Sequence, residues 1–179
     1  MLNLNEKIFF LINNLAGQYI LLDGFFVFIT KVFVPVIICL SIFWFFVVLP
    51  KKNKVLLKKI SLYKEGLLFI LSLLIVFLIT HLIKVIIAFP RPSEILSGVN
   101  SLSSYGSFDS FPSMHTALAF TVATFVRKYS KSTGFILFII ATLVGISRIF
   151  VGVHFPIDVL IGAFIGIVIP RLLFSVFKH

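Results

Sequence analysis

Cysteine, tryptophan and acidic side chains are nearly missing from this chain of 179 residues, which has one Cys, one Trp and six Asp plus Glu. Cys39 lies in an apolar run, so an intrachain disulfide framework and a cysteine metal cluster are excluded, and it reads as a small apolar side chain. Charge of either sign is scarce at 12% of residues, half of the roughly 25% usual in soluble domains. That scarcity excludes an ordinary water-soluble domain. The 60% hydrophobic content and mean hydropathy of +1.17 exclude a disordered chain as well. There is no glycine-rich phosphate loop of nucleotide enzymes and no internal repeat. A secretory leader is not expected either, because Glu6 precedes Lys7 and Asn13-Asn14 interrupts the apolar stretch, so the N-terminus should stay on the mature protein.

What is present is length for five or six apolar spans of about 20 residues, with no room for a separate soluble domain. The expected fold is all-α: a polytopic membrane helix bundle forming a single integral membrane domain over residues 1–179. Five stretches qualify, from about Gly24 to Leu49, Gly66 to Ile87, Pro112 to Arg127, Thr133 to Ile149 and Pro156 to Phe174. The leading segment, Leu2 to Leu22, mixes Ile8, Phe9, Phe10, Leu11 and Ile12 with four asparagines. It reads as an interfacial amphipathic helix, with a short sixth crossing as the alternative. The 23 Phe cover lipid-facing and core surface, and Trp44 fits an interfacial belt at the inner end of the first span.

Positive charge orients the spans. Lys51, Lys52, Lys54, Lys58, Lys59 and Lys64 lie between the first two, Arg127, Lys128 and Lys131 between the third and fourth, and Arg171 and Lys178 at or beyond the end of the fifth. These eleven, set against Glu65, account for the whole net charge of +10. They alternate so as to share one side, which the positive-inside rule makes cytoplasmic. The excess is therefore a topology signal and no nucleic-acid footprint. The other side receives the loop from Phe89 to Phe111, Ser/Gly-rich over Ser97 to Ser110, and the turn near Val151 to Phe155.

Ionisable groups are costly in a span, about 2.5–3.5 kcal/mol at its centre, so those at span ends need a reason. On the noncytoplasmic side Lys84 lies near the outer end of the second span with Arg91-Pro92 just beyond it, Ser113 and His115 open the third, Arg148 closes the fourth, and His154 and Asp158 open the fifth. Three cations, a serine and the N–H groups of a helix start form a receptor for a multiply charged tetrahedral anion. Two histidines add reaction to binding, since a neutral imidazole can attack phosphorus and a protonated one can donate to the leaving oxygen. Asp158 lies one helical turn beyond His154 and can orient its ring.

These segments, Lys84-x6-Arg91-Pro92, Pro112-Ser113-Met114-His115 and Ser147-Arg148-x5-His154-x3-Asp158, resemble the signature of the type 2 phosphatidic acid phosphatase superfamily of membrane lipid phosphatases. Position by position, the resemblance implies His154 as nucleophile, Asp158 as its partner and His115 as general acid. It assigns Lys84, Arg91, Ser113, Met114 and Arg148 to the phosphoryl oxygens. Met114 stands where the family has Gly, which keeps the backbone donor and places a side chain beside the phosphate. The small size and the lead-in Leu21-Leu22-Asp23-Gly24 look like the bacterial undecaprenyl-diphosphate phosphatase branch, which implies hydrolysis of that isoprenoid diphosphate through a phosphohistidine. The expected setting is the inner (cytoplasmic) membrane, with the site facing outward. Phosphatidylglycerophosphate, phosphatidic acid and lipid A phosphates are the alternative substrates, and oligomeric state stays open.

Blander readings attach to neighbouring residues. His81 is open between support of the site and packing, while Glu94 and Asp109 read as solvated loop carboxylates that could also steer a substrate. No metal or other cofactor is expected, because three cations beside two histidines and an Asp oppose a metal ion and favour phosphate. An anion transporter would spread charge along the depth of several spans, and a silent membrane scaffold would have lost motif residues.

Overall fold

The computed structural model describes residues 2–43, 59–103 and 109–177. Trp44, the inner end of the first expected span to Leu49, Lys51, Lys52, Lys54, Lys58, Lys178 and positions 104–108 of the long loop lie outside the described residues. Among the described residues every regular element is helical.

Helix α1, Leu4–Asn13, starts at a reciprocal cap in which Asn3 Oδ1 accepts from Glu6 N and Glu6 Oε2 accepts from Asn3 N, each at 2.9 Å. It lays Phe9 and Ile12 against Ile149, Phe150 and Phe155 and leaves Leu4 and Leu11 exposed. Its ten residues make about 15 Å of helix, half the hydrocarbon thickness, so it clings to one end of the bundle and is no sixth crossing.

The first span begins earlier than Gly24. Helix α2, Ile20–Phe28, a π-turn, Ile29–Phe33, and helix α3, Val34–Phe43, run as one apolar rod. Gly24 sits inside it at the modest cost of a mid-helix glycine. The π-turn has a local cause, since Pro35 has no N–H to offer the Lys31 carbonyl one turn back and the α-helical ladder is interrupted there.

Helix α4, Lys59–Ile87, leads to the short α5, Pro92–Ile95; then follow α6, Met114–Tyr129, α7, Lys131–Phe150, and α8, Pro156–Val176. Four stretches among the described residues, Ile20–Phe43, Lys64–Ile95, Lys131–Phe150 and Pro156–Val176, are long and apolar enough to cross a membrane. The remaining expected span, α6, is shorter at 16 residues. It is the central post, packed against α3, α4, α7 and α8, with buried side chains that include Thr116, Thr121 and Thr124. Enclosure by protein rather than lipid lets it be both short and rich in threonine; Thr121 Oγ1, for example, donates to the Ala117 carbonyl at 2.8 Å.

Helix α8 approaches α6 through Gly162 and Gly166, one turn apart. A Cβ on Gly162 would lie 2.5 Å from the Ser113 carbonyl oxygen, and one on Gly166 closer still to that of Ala117. This glycine seam sets the start of α6 directly against the start of α8. Gly166→Ala should therefore push the helices apart at a cost of about 1–3 kcal/mol, as overpacking does. The check is thermal unfolding in detergent, where the midpoint should fall by several degrees. At the far end of the bundle Lys128 Nζ pairs with Glu65 at 2.8 Å, and the Tyr129 hydroxyl bonds the same carboxylate, joining α4 to α6.

Candidate active site

Lys84 lies in the last turn of α4 and is buried, its Nζ donating to the carbonyls of Asp109 and Ser110. The chain then turns sharply at Ala88, a non-glycine residue at φ 45°, and Arg91 precedes the first turn of α5. The Arg91 backbone N–H donates to Glu94 Oε2 at 3.2 Å. Its buried guanidinium reaches the Val153 carbonyl through Nη1 at 3.0 Å and forks onto Asp109 Oδ1 through Nε, at 2.8 Å, and Nη2.

Helix α6 opens at Met114 with Ser113 before it and no side-chain cap on its first N–H groups. Ser113 N donates to the Asp158 carbonyl at 3.0 Å, and Thr116 Oγ1 donates to Ser113 Oγ at 2.9 Å. Met114 and His115 are half-buried. Arg148, in the last turn of α7, is 1% exposed and donates from Nη1 to Thr30 Oγ1 at 2.7 Å.

The turn between α7 and α8 folds back on itself. Val153 N and His154 N both donate to the Arg148 carbonyl, at 3.2 and 3.3 Å, and Gly152 supplies the left-handed conformation at φ 81°. Asn13, fully buried at the end of α1, clamps this turn by donating to the carbonyls of Phe150 at 2.8 Å and Asn100 at 2.9 Å, while Asn100 N donates back to Asn13 Oδ1 at 2.9 Å. His154 Nδ1 faces Asp158 Oδ2 at 3.4 Å, which leaves Nε2 as the other ring nitrogen. The same Oδ2 accepts from Phe155 N at 2.8 Å and from Ser110 Oγ at 2.5 Å.

Burial pushes the His154 imidazole well below the usual histidine range, and the charges of Arg148, Lys84 and Arg91 push it the same way. The ring is therefore neutral at neutral pH, the form in which a ring nitrogen holds a lone pair for attack. Because the folded value is lowered, the unfolded chain binds the proton more tightly. Stability from His154 is complete above the ordinary value of about 6.5 and drains away as pH falls below it. Thermal midpoints recorded from pH 7.5 to 5 should fall, and His154→Gln should flatten part of the fall.

The structure brings Lys84, Arg91, Ser113, Met114, His115, Arg148, His154 and Asp158 to one end of the bundle; Arg148, Lys84 and Arg91 all act electrostatically on His115 as well as on His154. His81 is not among them. It is exposed and stacks on Phe77, with ring centroids 6.1 Å apart. Asp109 and Glu94 are solvated loop carboxylates, and both also hold Arg91. Asp109 pairs with the Arg91 guanidinium, and Glu94 holds the Arg91 backbone. Ser110, Thr30 and Asn13 support the site without belonging to any of its sequence motifs. Ser110 stands two residues before Pro112, and the other two are polar residues interrupting apolar runs, a signal that was available.

Among the described residues no three His, Cys, Asp or Glu side chains cluster as a metal site. The fold and this gathering of charge define a class, the multi-pass membrane hydrolases of lipid phosphates. The chain belongs to the PAP2 superfamily, whose family model matches residues 65–179. It is 34% identical over 174 residues to the undecaprenyl-diphosphatase BcrC of Bacillus subtilis, an alignment covering 96% of this chain and 83% of that one. A second relative, named bacitracin transport permease protein BcrC in Bacillus licheniformis, is 39% identical over 84 residues, 47% of this chain and 41% of that protein. Among solved structures, Aquifex aeolicus LpxE superposes with a TM-score of 0.78 at 34% identity, covering 97% of this chain and 96% of the other.

Proposed function

We propose that residues 1–179 act as one phosphatase domain that hydrolyses undecaprenyl diphosphate to undecaprenyl phosphate and inorganic phosphate at the outer face of the cytoplasmic membrane. The observation that carries this reading is the burial of three cations, Lys84, Arg91 and Arg148, beside a histidine–carboxylate pair at one end of a membrane bundle. A tail-anchored substrate presents its phosphates at that depth. The identity to a protein named undecaprenyl-diphosphatase over nearly the whole chain supports the choice of lipid.

The chemistry follows from the atoms. His154 Nε2 attacks the terminal phosphorus, the bond to the bridging oxygen breaks, and undecaprenyl phosphate leaves with a proton from His115. Lys84, Arg91, Arg148, Ser113 and the N–H groups opening α6 hold the equatorial oxygens, where charge builds during transfer. Asp158, one turn along from His154, orients the ring through Nδ1 and offsets the positive charge it gains on phosphorylation. Water then attacks phosphorus, His115 takes its proton, and the P–N bond breaks to release phosphate. Met114 borders the bound phosphoryl group. Neither a metal nor another cofactor takes part.

Purified protein in detergent, given a chelator and offered undecaprenyl diphosphate, phosphatidylglycerophosphate, phosphatidic acid and a lipid A phosphate in parallel, tests the reading. Undecaprenyl diphosphate should show the highest kcat/KM. A higher value for any of the others would transfer the assignment to that lipid, and dependence on an added divalent ion would overturn the mechanism.

A further inference from the structure

The first span contributes none of the motif residues, yet it reaches the site through Thr30. This threonine is fully buried within the π-turn Ile29–Phe33, and its hydroxyl accepts the 2.7 Å hydrogen bond from Arg148 Nη1 across 118 residues of chain. Its neighbour Lys31 is exposed. An α-helix interrupted by a π-turn carries one extra residue, which rotates the positions on either side relative to one another. Pro35, by leaving the Lys31 carbonyl without its α-helical partner, maintains the interruption.

A guanidinium is a rigid planar fork, so fixing one N–H fixes the plane in which the others point. Arg148 is 1% exposed on α7, which packs against α2, the π-turn and α6, and a methyl-for-hydroxyl exchange at position 30 would leave one of its donors facing an apolar group.

We infer that Thr30 is a positioning residue for phosphoryl transfer, its hydroxyl setting the plane of the Arg148 guanidinium so that the fork meets the phosphoryl oxygens in the transition state. The inference rests on the proposed contact between Arg148 and the phosphate. Thr30 does not touch the substrate; it acts through Arg148.

Steady-state rates on the best lipid phosphate should be measured for the parent, Thr30→Val, Thr30→Ser, Arg148→Ala and the double variant Thr30→Val/Arg148→Ala. Thr30→Val should lower kcat by about 10- to 100-fold, the range expected of one hydrogen bond to a charged group, with KM within about 2-fold of the parent. Thr30→Ser, which keeps the hydroxyl, should recover most of the rate. The valine exchange should cost nothing further once Arg148 is alanine, because the two residues then no longer couple. Thr30→Ala removes the same acceptor, carries the same expectation, and serves if the valine variant does not accumulate as folded protein. A slow Arg148→Ala with Thr30→Val at the parent rate would overturn the inference and leave the site reading intact. So would equal losses in Thr30→Ser and Thr30→Val, or additive losses in the double variant. Arg148→Ala at the parent rate would instead overturn the site reading beneath it.

Discussion

Replacement of His154 by alanine should lower phosphate release by about 10⁴-fold or more, the scale seen when a covalent nucleophile is removed. In the proposed mechanism the imidazole supplies the attacking atom and its neighbours have other tasks: Asp158 is turned toward Nδ1, Phe155 N and Ser110, and His115 serves the leaving group. The residual rate would come from water attacking a phosphoryl group still held by Lys84, Arg91 and Arg148. His154 is only 2% exposed, so alanine also leaves a cavity. His154→Gln fills most of that volume and should be equally inactive, with a thermal midpoint closer to that of the parent. Phosphate release by either folded variant at a rate near the parent's would contradict the assignment.

Removal of His115 should act differently. His115→Ala should slow lipid hydrolysis by about 10²- to 10⁴-fold, the usual worth of a positioned general acid. An aryl phosphate whose leaving group needs no proton should be hydrolysed with a far smaller loss. The contrast arises because the alkyl phosphate leaving group of a lipid diphosphate gains from protonation as the bridging bond breaks, whereas a nitrophenolate departs unaided. Measured side by side on the two substrates, equal losses would assign His115 to binding or folding rather than to proton transfer.

The features legible from residue order alone were those with a type and a spacing. Lys84, Arg91, His115, Arg148, His154 and Asp158 stand out because an ionisable group at a span end is costly, and the alternation of positive loops put them on a common side. The all-helical membrane architecture was legible for the same reason, as apolar length. What escaped depends on distance in space. Thr30 is ordinary in a hydrophobic run until the π-turn delivers it to Arg148, and Asn13 ends the apolar stretch and α1 as expected but also clamps the turn before His154, which no spacing announces. Asp109 is a half-exposed loop acid whose pairing escaped because no rule of spacing links it to Arg91, 18 residues earlier. Helix α6 has the length expected of it, shifted two residues along the chain, but hydropathy reports contact with lipid and could not show that α6 is surrounded by protein. Glycine was misread once, at Gly24, where a residue common in turns lies within a continuous helix.

The central claim is that the phosphoryl group passes through His154. It is tested most directly by mixing enzyme in excess with undecaprenyl diphosphate labelled on its terminal phosphate, with a chelator present, and quenching in alkali within the first turnover. Phosphohistidine survives base, so peptide mapping should place the label on His154 in the parent and find none in His154→Ala. Label on another residue, or a full single turnover by folded His154→Ala, would contradict the account.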